Sequence, residues 1–520
     1  MRRPKILWVD DEIEVLKPHI YFLDEKGYDI ETCSNGIDAV DLIRKQPYDL
    51  ILLDEHMAGL SGIETLRLIK EARPETPVVM ITKSEEENIM DAAIGSEIAD
   101  YLIKPVKPKQ ILLALKKNLE QKRLVTEKTT IDYQQEFGNI TSMICSAATY
   151  TDWIEIYRKI VFWDIELDKS TESGLTEILY KQDYEANAAF CRFVTRNYLS
   201  WLDPDTKEKP LLSHQLMQKK IFPEISSSEP LFLILIDNLR YDQWKTIQAE
   251  LSDYFRVKDE TMYYSILPTA TQFSRNAIFS GLMPLSIYQT MHDMWVPDNI
   301  AGEGKNEFEE EFLRRQIIRN GLNIRWSYNK ISNSQEGKKI NDHLDSLMKN
   351  HLNILVYNFV DILSHARTEI GIIRDLASDE RAFRSLTKSW FIHSSLYDLL
   401  KTIAAKKVKV AVTTDHGTIR VNNPIKVTGD RETSPNLRYK TGRSLDYDPS
   451  EVFEIRNPEK AFLPKTNISS RYIFAMNKDY LVYHNNFNQY ASYYRDTFQH
   501  GGISMQEMIL PLTFLESLQL

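Results

Sequence analysis

Short apolar runs separated by amphipathic stretches dominate the first 122 residues of the chain. The runs are KILWV from Lys5, DLILLD from Asp49, PVVMIT from Pro77 and ADYLI from Ala99, with helical patterns between them. Alternation of strands and helices of this kind predicts a doubly wound α/β fold with a parallel sheet.

A second zone, residues 123–205, contains no run that resembles a strand. Helical patterns rich in aromatic residues fill it, and we interpret Trp153, Tyr157 and Phe162 as residues that pack its helices together. LDPDTKEKP, from Leu202, marks a boundary. Residues 206–520 then contain three further buried-strand candidates, LFLILID, NILVYNFVD and KVKVAVTTD. We therefore predict three domains, 1–122, 123–205 and 206–520, the last of which is again α/β.

Composition narrows the possible functions. The 520 residues are 42% hydrophobic and 27% charged, as in soluble globular proteins. The net charge of −10 argues against general nucleic-acid binding, and no stretch reads as a DNA-binding module. The apolar run in the opening MRRPKILWVDDE stops at Asp10 and is too short for a signal peptide. No segment is long enough to span a membrane, and the three cysteines are scattered, which suggests a reducing compartment. We expect a cytoplasmic protein.

Polar residues follow the strands of the first domain, where the carboxyl ends of parallel strands meet in one crevice. They are Asp10, Asp11, Asp54, Thr82 and Lys104. Three carboxylates gathered there repel one another unless a hard cation joins them, and Mg²⁺ prefers oxygen ligands. One carboxylate can then attack a phosphoryl group while the cation and the lysine neutralise the developing charge.

This arrangement resembles a response-regulator receiver domain over residues 4 to about 122. The resemblance implies that Asp54 accepts the phosphoryl group. It implies that Asp10 and Asp11 bind Mg²⁺ together with Asp54, and that Lys104 binds the phosphate.

The same resemblance assigns a switch to Thr82 and to Tyr101, in DYLIKP. The resemblance implies that on phosphorylation Thr82 moves toward the phosphoryl oxygens and Tyr101 turns inward. A sensor histidine kinase is the implied partner, and we expect phosphorylation to favour a homodimer. The alternative is a receiver that stays monomeric and releases an inhibited output domain.

The three buried strands of the third domain each lead to an acid, namely Asp237, Asp361 and Asp415. Parallel strands that deliver carboxylates to one edge of a sheet form a metal-binding rim.

Histidines accompany these acids. His365 comes four residues after Asp361, so one helical turn points both side chains the same way. His416 adjoins Asp415, and His500 lies in QHGG, where glycines let backbone approach a ligand closely. Mixed imidazole and carboxylate ligands suit Zn²⁺, and two such clusters predict a pair of ions.

A nucleophile candidate lies in SILPTATQFSRNAIFSG, which places Thr271 after a predicted strand and before an amphipathic helix. A helix N-terminus stabilises anions, and metal coordination lowers the pKa of a hydroxyl. In isolation Thr271 would be a helix cap; beside two metal clusters we interpret it as the nucleophile. Asn276 is a candidate hydrogen-bond donor to a non-bridging phosphate oxygen, and a position on the helix surface is the alternative.

The order of an acid after a strand, PTxT, DxxxH, DHG and HGG resembles the alkaline-phosphatase superfamily, and within it the PglZ-type domains, over roughly residues 210–518. The resemblance implies two sets of zinc ligands, one formed by Asp237, Thr271, Asp415 and His416 and the other by Asp361, His365 and His500. It also implies attack of a threonine on phosphorus through a covalent phosphothreonine, with phosphodiesters as first choice of substrate and monoesters as second.

Two charged stretches have open roles. KVTGDRETSPNLRYKTGR carries five basic residues around Tyr439 and predicts either a phosphate-gripping lid or a charge-rich surface loop. The five are Lys426, Arg431, Arg438, Lys440 and Arg443. NEFEEEF, from Asn306, predicts a solvated helix face.

Two classes of function therefore remain. The first is a two-component response regulator whose output is a zinc-dependent phosphodiesterase or phosphatase, with nucleotide-derived phosphoesters among the candidate substrates. The order of receiver, helical linker and PglZ-like domain resembles response regulators that act on type IX secretion. The second class is a non-catalytic interaction protein, stabilised by zinc and switched by phosphorylation. Zinc content together with turnover of a chromogenic phosphodiester separates the two.

Overall fold

A computed structural model describes residues 3–74, 76–83, 98–168, 173–296, 306–369, 376–377, 379–406, 408–429, 433–465, 467 and 469–518. The chain forms two compact units, Met1–Gln134 and Gln135–Leu520. The boundary placed at residue 122 falls inside one continuous helix, Pro108–Ser146, which belongs partly to each unit.

The first unit is built on a five-stranded parallel sheet with the order β2-β1-β3-β4-β5. The strands are β1 (Lys5–Val9), β2 (Asp29–Cys33), β3 (Leu50–Asp54), β4 (Val78–Thr82) and β5 (Asp100–Ile103). The helices described around it are α1 (Ile13–Glu25), α2 (Gly36–Lys45), α3 (Gly62–Ala72) and the start of α4 (Pro108–Ser146). The doubly wound fold predicted for this domain is confirmed.

Two apolar cores explain why the strands are so hydrophobic. Alternate residues of β1 point to opposite faces, so that Leu7 packs with α2 and α3 while Trp8 packs with α1 and the first turns of α4. Every residue of β3 and β4 is buried, as expected where helices cover both faces of a parallel sheet. A Cβ on Gly62 would lie 2.5 Å from the carbonyl oxygen of Asp54, so glycine lets α3 begin directly against the end of β3.

The second unit opens with the helical linker. After α4 come α5 (Tyr150–Asp168) and α6 (Ser173–Trp201). Trp153 and Tyr157 are buried and belong to the i, i+3, i+4 series that faces the core. Phe162 lies outside that series and is 55% exposed, so the interpretation of Phe162 as a core residue is wrong.

A six-stranded mixed sheet, with the order β7-β18-β10-β6-β9-β8, forms the centre of the second unit. Its strands are β6 (Leu231–Ile236), β7 (Phe255–Tyr264), β8 (Trp326–Ile331), β9 (Leu352–Tyr357), β10 (Lys409–Thr413) and β18 (Ile509–Ser517). Strands β10, β6, β9 and β8 are parallel, and β18 runs antiparallel to β10 and β7.

Smaller sheets lie beside it. They pair β11 (Ile419–Arg420) with β17 (Phe498–Gln499), β12 (Asn423–Val427) with β16 (Asp479–Tyr483), and β15 (Arg471–Ala475) with both β13 (Tyr439–Gly442) and β14 (Val452–Ile455). The described helices of this unit after α6 are α7 (Tyr241–Ala249), α8 (Thr271–Ser280), α9 (Pro284–Thr290), α10 (Glu309–Arg319), α11 (Ser334–Asp342), α12 (Leu344–Leu347), α13 (Phe359–Glu369), α14 (Glu380–Ile392), α15 (Ser395–Ala405), α16 (Phe487–Tyr494) and α17 (Met505–Met508). No helix among the described residues is long and apolar enough to cross a bilayer.

One strand prediction needs correction. The run NILVYNFVD does not continue to its acid, because β9 ends at Tyr357, where the paired strands β8 and β6 also end. Helix α13 begins at Phe359, so Asp361 lies in its first turn and not directly after a strand.

The basic stretch KVTGDRETSPNLRYKTGR is a charged surface loop only in part. Arg438 is buried and makes two charge-assisted hydrogen bonds to Glu507, at 3.0 and 2.6 Å. Lys440 is buried on β13 and donates to the carbonyls of Ser434 and Pro435. Since these two cations bind groups of the protein itself, they do not act as a lid on a substrate phosphate. Lys426 and Arg443 are exposed, and Arg431 lies outside the described residues.

Candidate functional site

The first unit brings three carboxylates together at the carboxyl ends of its strands. Asp10, Asp11 and Asp54 each place an oxygen within 4.8 Å of the others. Asp10 and Asp54 are buried, whereas Asp11 is exposed. Lys104 Nζ lies 2.9 Å from Asp10 Oδ2 and 2.9 Å from Asp54 Oδ2, so one ammonium joins two of the acids.

Asp54 is the carboxylate best placed for chemistry. Burial raises the pKa of its carboxyl, against the lowering effect of the Lys104 hydrogen bond. Its Oδ1 is buried without a hydrogen-bond partner, so one oxygen is free for a cation or for phosphorus. Thr82 is buried at the end of β4, and Tyr101 on β5 is 38% exposed.

In the second unit, Asp237 follows β6 and Asp415 follows β10, and these strands are adjacent and parallel. Their carboxylates and the His416 imidazole offer ligand atoms within 4.8 Å of one another, and all three residues are buried. The register of two neighbouring strands therefore assembles the first cluster.

The second cluster combines α13 with the end of β17. Asp361 and His365 lie one turn apart on α13, with His365 Nε2 3.5 Å from Asp361 Oδ1. His500 follows β17 and places its Nε2 3.8 Å from the same oxygen. These three residues also offer ligand atoms within 4.8 Å of one another.

The two clusters adjoin each other. The rings of His416 and His500 stack with centroids 4.3 Å apart. Asn238 connects the clusters, because its side chain donates to Asp361 Oδ1 at 3.1 Å and its backbone N–H donates to Asp415 Oδ1 at 3.4 Å. Its φ of 62° is left-handed, a conformation in which asparagine is enriched among residues other than glycine.

Thr271 is the first residue of α8 and faces the first cluster. Its Oγ1 lies 2.9 Å from His416 Nε2 and 3.4 Å from Asp237 Oδ1. The helix is not amphipathic as predicted, because every residue after Thr271 is buried. It packs against both α10 and the short turn Ser213–Gln215, so its polar residues also lie inside the protein.

The hydrogen bonds of the histidines fix which nitrogen faces each cluster. His416 Nδ1 lies 3.1 Å from the carbonyl of Gly417, and His500 Nδ1 lies 3.3 Å from the carbonyl of Thr269. A carbonyl accepts only, so each Nδ1 carries the hydrogen and each Nε2 lone pair is directed into its cluster. Metal-binding histidines are commonly held by an outer hydrogen bond of this kind.

Burial sets the electrostatics of the site. It raises the pKa of Asp415 well above its usual range and that of Asp361 to about 6, and the nearby Asp237 adds to both shifts. It lowers the pKa of His416, and that of His500 well below its usual range. Asp415 Oδ2 is buried without a hydrogen-bond partner. Neutral imidazoles beside repelling carboxylates form a donor set that suits a divalent cation with N and O ligands.

Arg275 and Glu309 are site residues that the sequence did not indicate. Arg275 Nη1 donates to Asp237 Oδ2 at 3.0 Å, and its Nε lies 2.7 Å from Glu309 Oε1 and 3.7 Å from Asp415 Oδ2. Arg275 and Glu309 are both buried. The solvated helix face predicted for NEFEEEF is therefore wrong at Glu309. The spacing of Thr271 and Arg275, one helical turn, was an available signal.

Two further expectations change. Asn276 is 1% exposed, so the helix-surface alternative is wrong; its role toward a substrate oxygen stays a prediction. The glycines after His500 make room for protein groups, since a Cβ on Gly501 would lie 2.6 Å from the Tyr439 ring and one on Gly502 would lie 2.5 Å from the Ala475 carbonyl.

Comparison with protein families accounts for most of the chain. The BREX system PglZ alkaline phosphatase-like domain matches residues 216–514, more than half of the chain. The chain belongs to the PglZ family. The PorX response regulator linker domain matches residues 123–202 and the response regulator receiver domain matches residues 6–116. The PglZ domain thus follows a receiver and a linker, which is the architecture of PorX-like response regulators. None of the three matched domains is a DNA-binding domain.

Individual relatives are similar over about a quarter of the chain. The transcriptional regulatory protein ResD of Bacillus subtilis is 37% identical over 112 residues, 22% of this chain and 46% of ResD. The alginate biosynthesis transcriptional regulatory protein AlgB of Pseudomonas putida is 34% identical over 120 residues, 23% of this chain and 27% of AlgB. The matched segment thus spans less than half the length of either relative.

Solved structures of receiver domains match a similarly small part of the chain. The chemotaxis protein CheY4 of Vibrio cholerae is 26% identical and covers 22% of this chain and 98% of its own, with a TM-score of 0.22. The receiver domain of NtrX from Brucella abortus is 31% identical with the same coverages and a TM-score of 0.21.

The buried guanidinium of the PglZ domain gives a first test. Arg275→Met leaves Asp237, Glu309 and Asp415 without their cation, and we expect a loss of about 3–5 kcal/mol in the free energy of unfolding. Calorimetry of the full chain in chelator, and again with excess divalent metal, measures the loss and its partial recovery by metal.

Arg314→Met is the matched control, because it removes an exposed ion pair with Glu311 on the same helix as Glu309. Its effect should stay within about 0.5 kcal/mol. Equal melting temperatures for the two variants would contradict the role given to Arg275.

Proposed function

We propose that the chain is a response regulator whose PglZ domain is a zinc-dependent phosphoric ester hydrolase, with phosphodiesters as preferred substrates and Thr271 as nucleophile. The observation that carries the proposal is the position of Thr271 Oγ1, 2.9 Å from His416 Nε2 at the N-terminus of α8 and beside two adjoining clusters. The match to an alkaline phosphatase-like domain supports the reaction class.

The residues present fit two zinc ions. Asp237, Thr271, Asp415 and His416 would hold one, and Asp361, His365 and His500 the other. When bound, such ions supply positive charge to phosphoryl oxygens and favour the ionised form of a hydroxyl. The buried, unpartnered Oδ2 of Asp415 and the inward Nε2 lone pairs of His416 and His500 are the features that support this occupancy.

The proposed reaction proceeds in two steps on Thr271. Thr271 Oγ1 loses its proton to solvent and bonds to phosphorus, while the bond from phosphorus to the ester oxygen of the leaving alcohol breaks and that oxygen takes up a proton. Water next attacks the phosphothreonine, its P–Oγ1 bond breaks, and Thr271 regains a proton. The positive end of α8 stabilises negative charge on Oγ1 during both steps.

The receiver supplies the control. We infer that a sensor histidine kinase phosphorylates Asp54, with Mg²⁺ held by Asp10, Asp11 and Asp54. The Asp54 Oδ1 atom, which is buried without a hydrogen-bond partner, and the ammonium of Lys104 support this role. Phosphorylation then favours a homodimer through the face that carries Tyr101. The match to the PorX linker domain supports the proposal that the chain takes part in the regulation of type IX secretion.

Phosphorylation at Asp54 is tested with acetyl phosphate and Mg²⁺. The wild type should gain one phosphate by mass spectrometry and approach twice the chain mass in light scattering with beryllium fluoride, because the switch residues change the receiver surface. Asp54→Asn should do neither. Labelling of Asp54→Asn equal to wild type ends the assignment, and a wild-type mass fixed at one chain leaves only the release of an inhibited output domain.

Metal content is tested on protein loaded with zinc and then desalted. We expect about two zinc ions per chain by elemental analysis, as for two-metal hydrolytic sites. His365→Ala and His416→Ala should each retain less, since one lost imidazole leaves the ion under-coordinated. His393→Ala is the control and should match wild type, because His393 is an exposed residue that directly follows α14. Unchanged zinc in both ligand variants would refute the ligand sets.

The nucleophile is tested by paired substitutions. Thr271→Val keeps the β-branched shape and removes the oxygen, so hydrolysis of bis-p-nitrophenyl phosphate should fall by about a thousandfold or more. Thr271→Ser keeps the oxygen and should retain measurable activity. Activity of Thr271→Val at the wild-type level would show that water attacks phosphorus directly. A zinc-loaded wild type that turns over neither diester nor monoester would favour the non-catalytic interaction protein.

A further inference from the structure

Arg240 adjoins all three loops that carry the buried ligand candidates. It comes three residues after Asp237 in the turn that leaves β6. A Cβ on Gly417, the neighbour of His416, would lie 3.6 Å from Arg240 Cγ, so the arginine stem packs against that glycine. The guanidinium lies 5.3 Å from the ring centre of Phe498, two residues before His500. One buried side chain thus lies against the residue that follows His416 and near the residue two positions before His500.

The charge of Arg240 is held by Asp242. Arg240 Nε donates to Asp242 Oδ1 at 2.9 Å and Nη2 donates to Asp242 Oδ2 at 2.6 Å, and both side chains are almost fully buried. A bidentate pair of this kind fixes orientation as well as distance. Any shift of Asp242 therefore moves Arg240.

Asp242 is in turn bound to the linker through Arg384 on α14. Arg384 Nη1 donates to Asp242 Oδ2 at 3.0 Å, and the same guanidinium donates to Asp164 and Asp168 of α5. The Arg384 side chain is 4% exposed. A continuous row of charges thus joins linker helix α5 to the turn that follows Asp237; Arg384, Asp242 and Arg240 are buried, whereas the side chains of Asp164 and Asp168 are 34% and 19% exposed.

Apolar packing connects the linker to the same turn, since Tyr157 of α5 lies against Tyr241 with ring centroids 5.9 Å apart. A cavity of about 670 Å³ lies beside the row, bordered by Ile160, Val161 and Leu179 of the linker and by Arg240 and Arg384 of the PglZ domain. At this place the ion pairs span a gap that side chains do not fill. If the bond from Arg384 to the linker acids or to Asp242 breaks, a buried charge is left uncompensated. A displacement of the linker acids therefore changes the position of Asp242, and a displacement of Asp242 changes that of the linker acids.

We propose that the row Asp164/Asp168–Arg384–Asp242–Arg240 couples the linker to the metal-binding loops, with Arg384 as a positioning residue that acts through Asp242 and Arg240. The position of α5 relative to α14 then sets the geometry of the Asp237, His416 and His500 loops. Its effect on turnover rests on the proposed hydrolase function, whereas its effect on the loops does not.

Hydrogen exchange of the full chain tests the coupling without reference to activity. Arg384→Met should speed exchange by about tenfold in peptides that cover residues 236–243 and 414–418. Asp164→Asn combined with Asp168→Asn removes the linker end and leaves the Arg384–Asp242 bond in place, so it should produce the same pattern if Arg384→Met folds poorly.

Arg381→Met is the matched control. It removes another α14–α5 ion pair, the 2.6 Å bond from Arg381 to Asp168, but Arg381 is not bonded to Asp242. It should leave exchange in both peptides at the wild-type rate. Equal acceleration by Arg381→Met would show that linker attachment alone matters, and unchanged exchange in Arg384→Met and the Asp164/Asp168 variant would overturn the proposal.

Turnover separates this proposal from the hydrolase proposal. With bis-p-nitrophenyl phosphate, Arg384→Met should lower kcat by about tenfold with little change in KM, and Arg384→Lys should recover part of the loss because a cation again faces Asp242. If the wild type lacks turnover, the hydrolase proposal fails while the exchange result still decides the coupling. If wild type is active and exchange is unchanged, only the coupling fails.

Discussion

The repulsion among buried carboxylates is the constraint on which the PglZ domain depends. Asp237 and Asp415 are buried, and Asp361 lies beside them with only part of its side chain exposed. Two unit charges 4 Å apart repel by roughly 4 kcal/mol at an effective dielectric constant of 20, so such a group needs cations close by. Arg275 provides one positive charge between Asp237 and Asp415, and Glu309 holds that guanidinium from the other side. Asp415 Oδ2 accepts no hydrogen bond and lies 3.7 Å from Arg275 Nε, so this compensation is incomplete.

The receiver meets the same constraint with fewer groups. Lys104 bonds to Asp10 and Asp54 at equal distances, while Asp11 remains in contact with solvent. A lysine ammonium on a flexible stem can shift when a phosphoryl group arrives, whereas a guanidinium held by three buried carboxylates cannot move freely. This contrast fits the two-state switch proposed for the receiver and the fixed frame proposed for the hydrolase site.

The sequence predicted those features that follow from local order. Continuous apolar runs that end in Asp54 in the receiver, and in Asp237 and Asp415 in the PglZ domain, identified buried parallel strands. They also identified, for each of the two sheets, the edge at which its acids gather, and the structure places these acids accordingly. The sequence did not predict that Glu309, Arg438 and Lys440 are buried, because a charged residue inside a polar stretch is expected to be exposed unless its partner is known. The partners of two of them are far away in the chain, Arg275 for Glu309 and Glu507 for Arg438, whereas Lys440 donates to the nearby carbonyls of Ser434 and Pro435. Asp361 was misplaced because a strand ends where its neighbours stop pairing, which is a property of the sheet.

The short turn after β6 is one of the places where the linker and the PglZ domain meet within one compact unit. Within six residues, Asp237 enters the first cluster, Asn238 connects it to Asp361, and Arg240 and Asp242 turn toward the linker. A turn fixed at both ends cannot adjust to one side without disturbing the other, since packed interiors respond by switching between arrangements and not by gradual deformation. The left-handed backbone of Asn238 adds to this restriction, because few other conformations would direct its side chain to Asp361 and its N–H to Asp415. The turn that carries the ligand candidate Asp237 is therefore also the turn that is bonded to the linker through Arg384. A change in the position of the linker thus acts on the site directly, through this one turn.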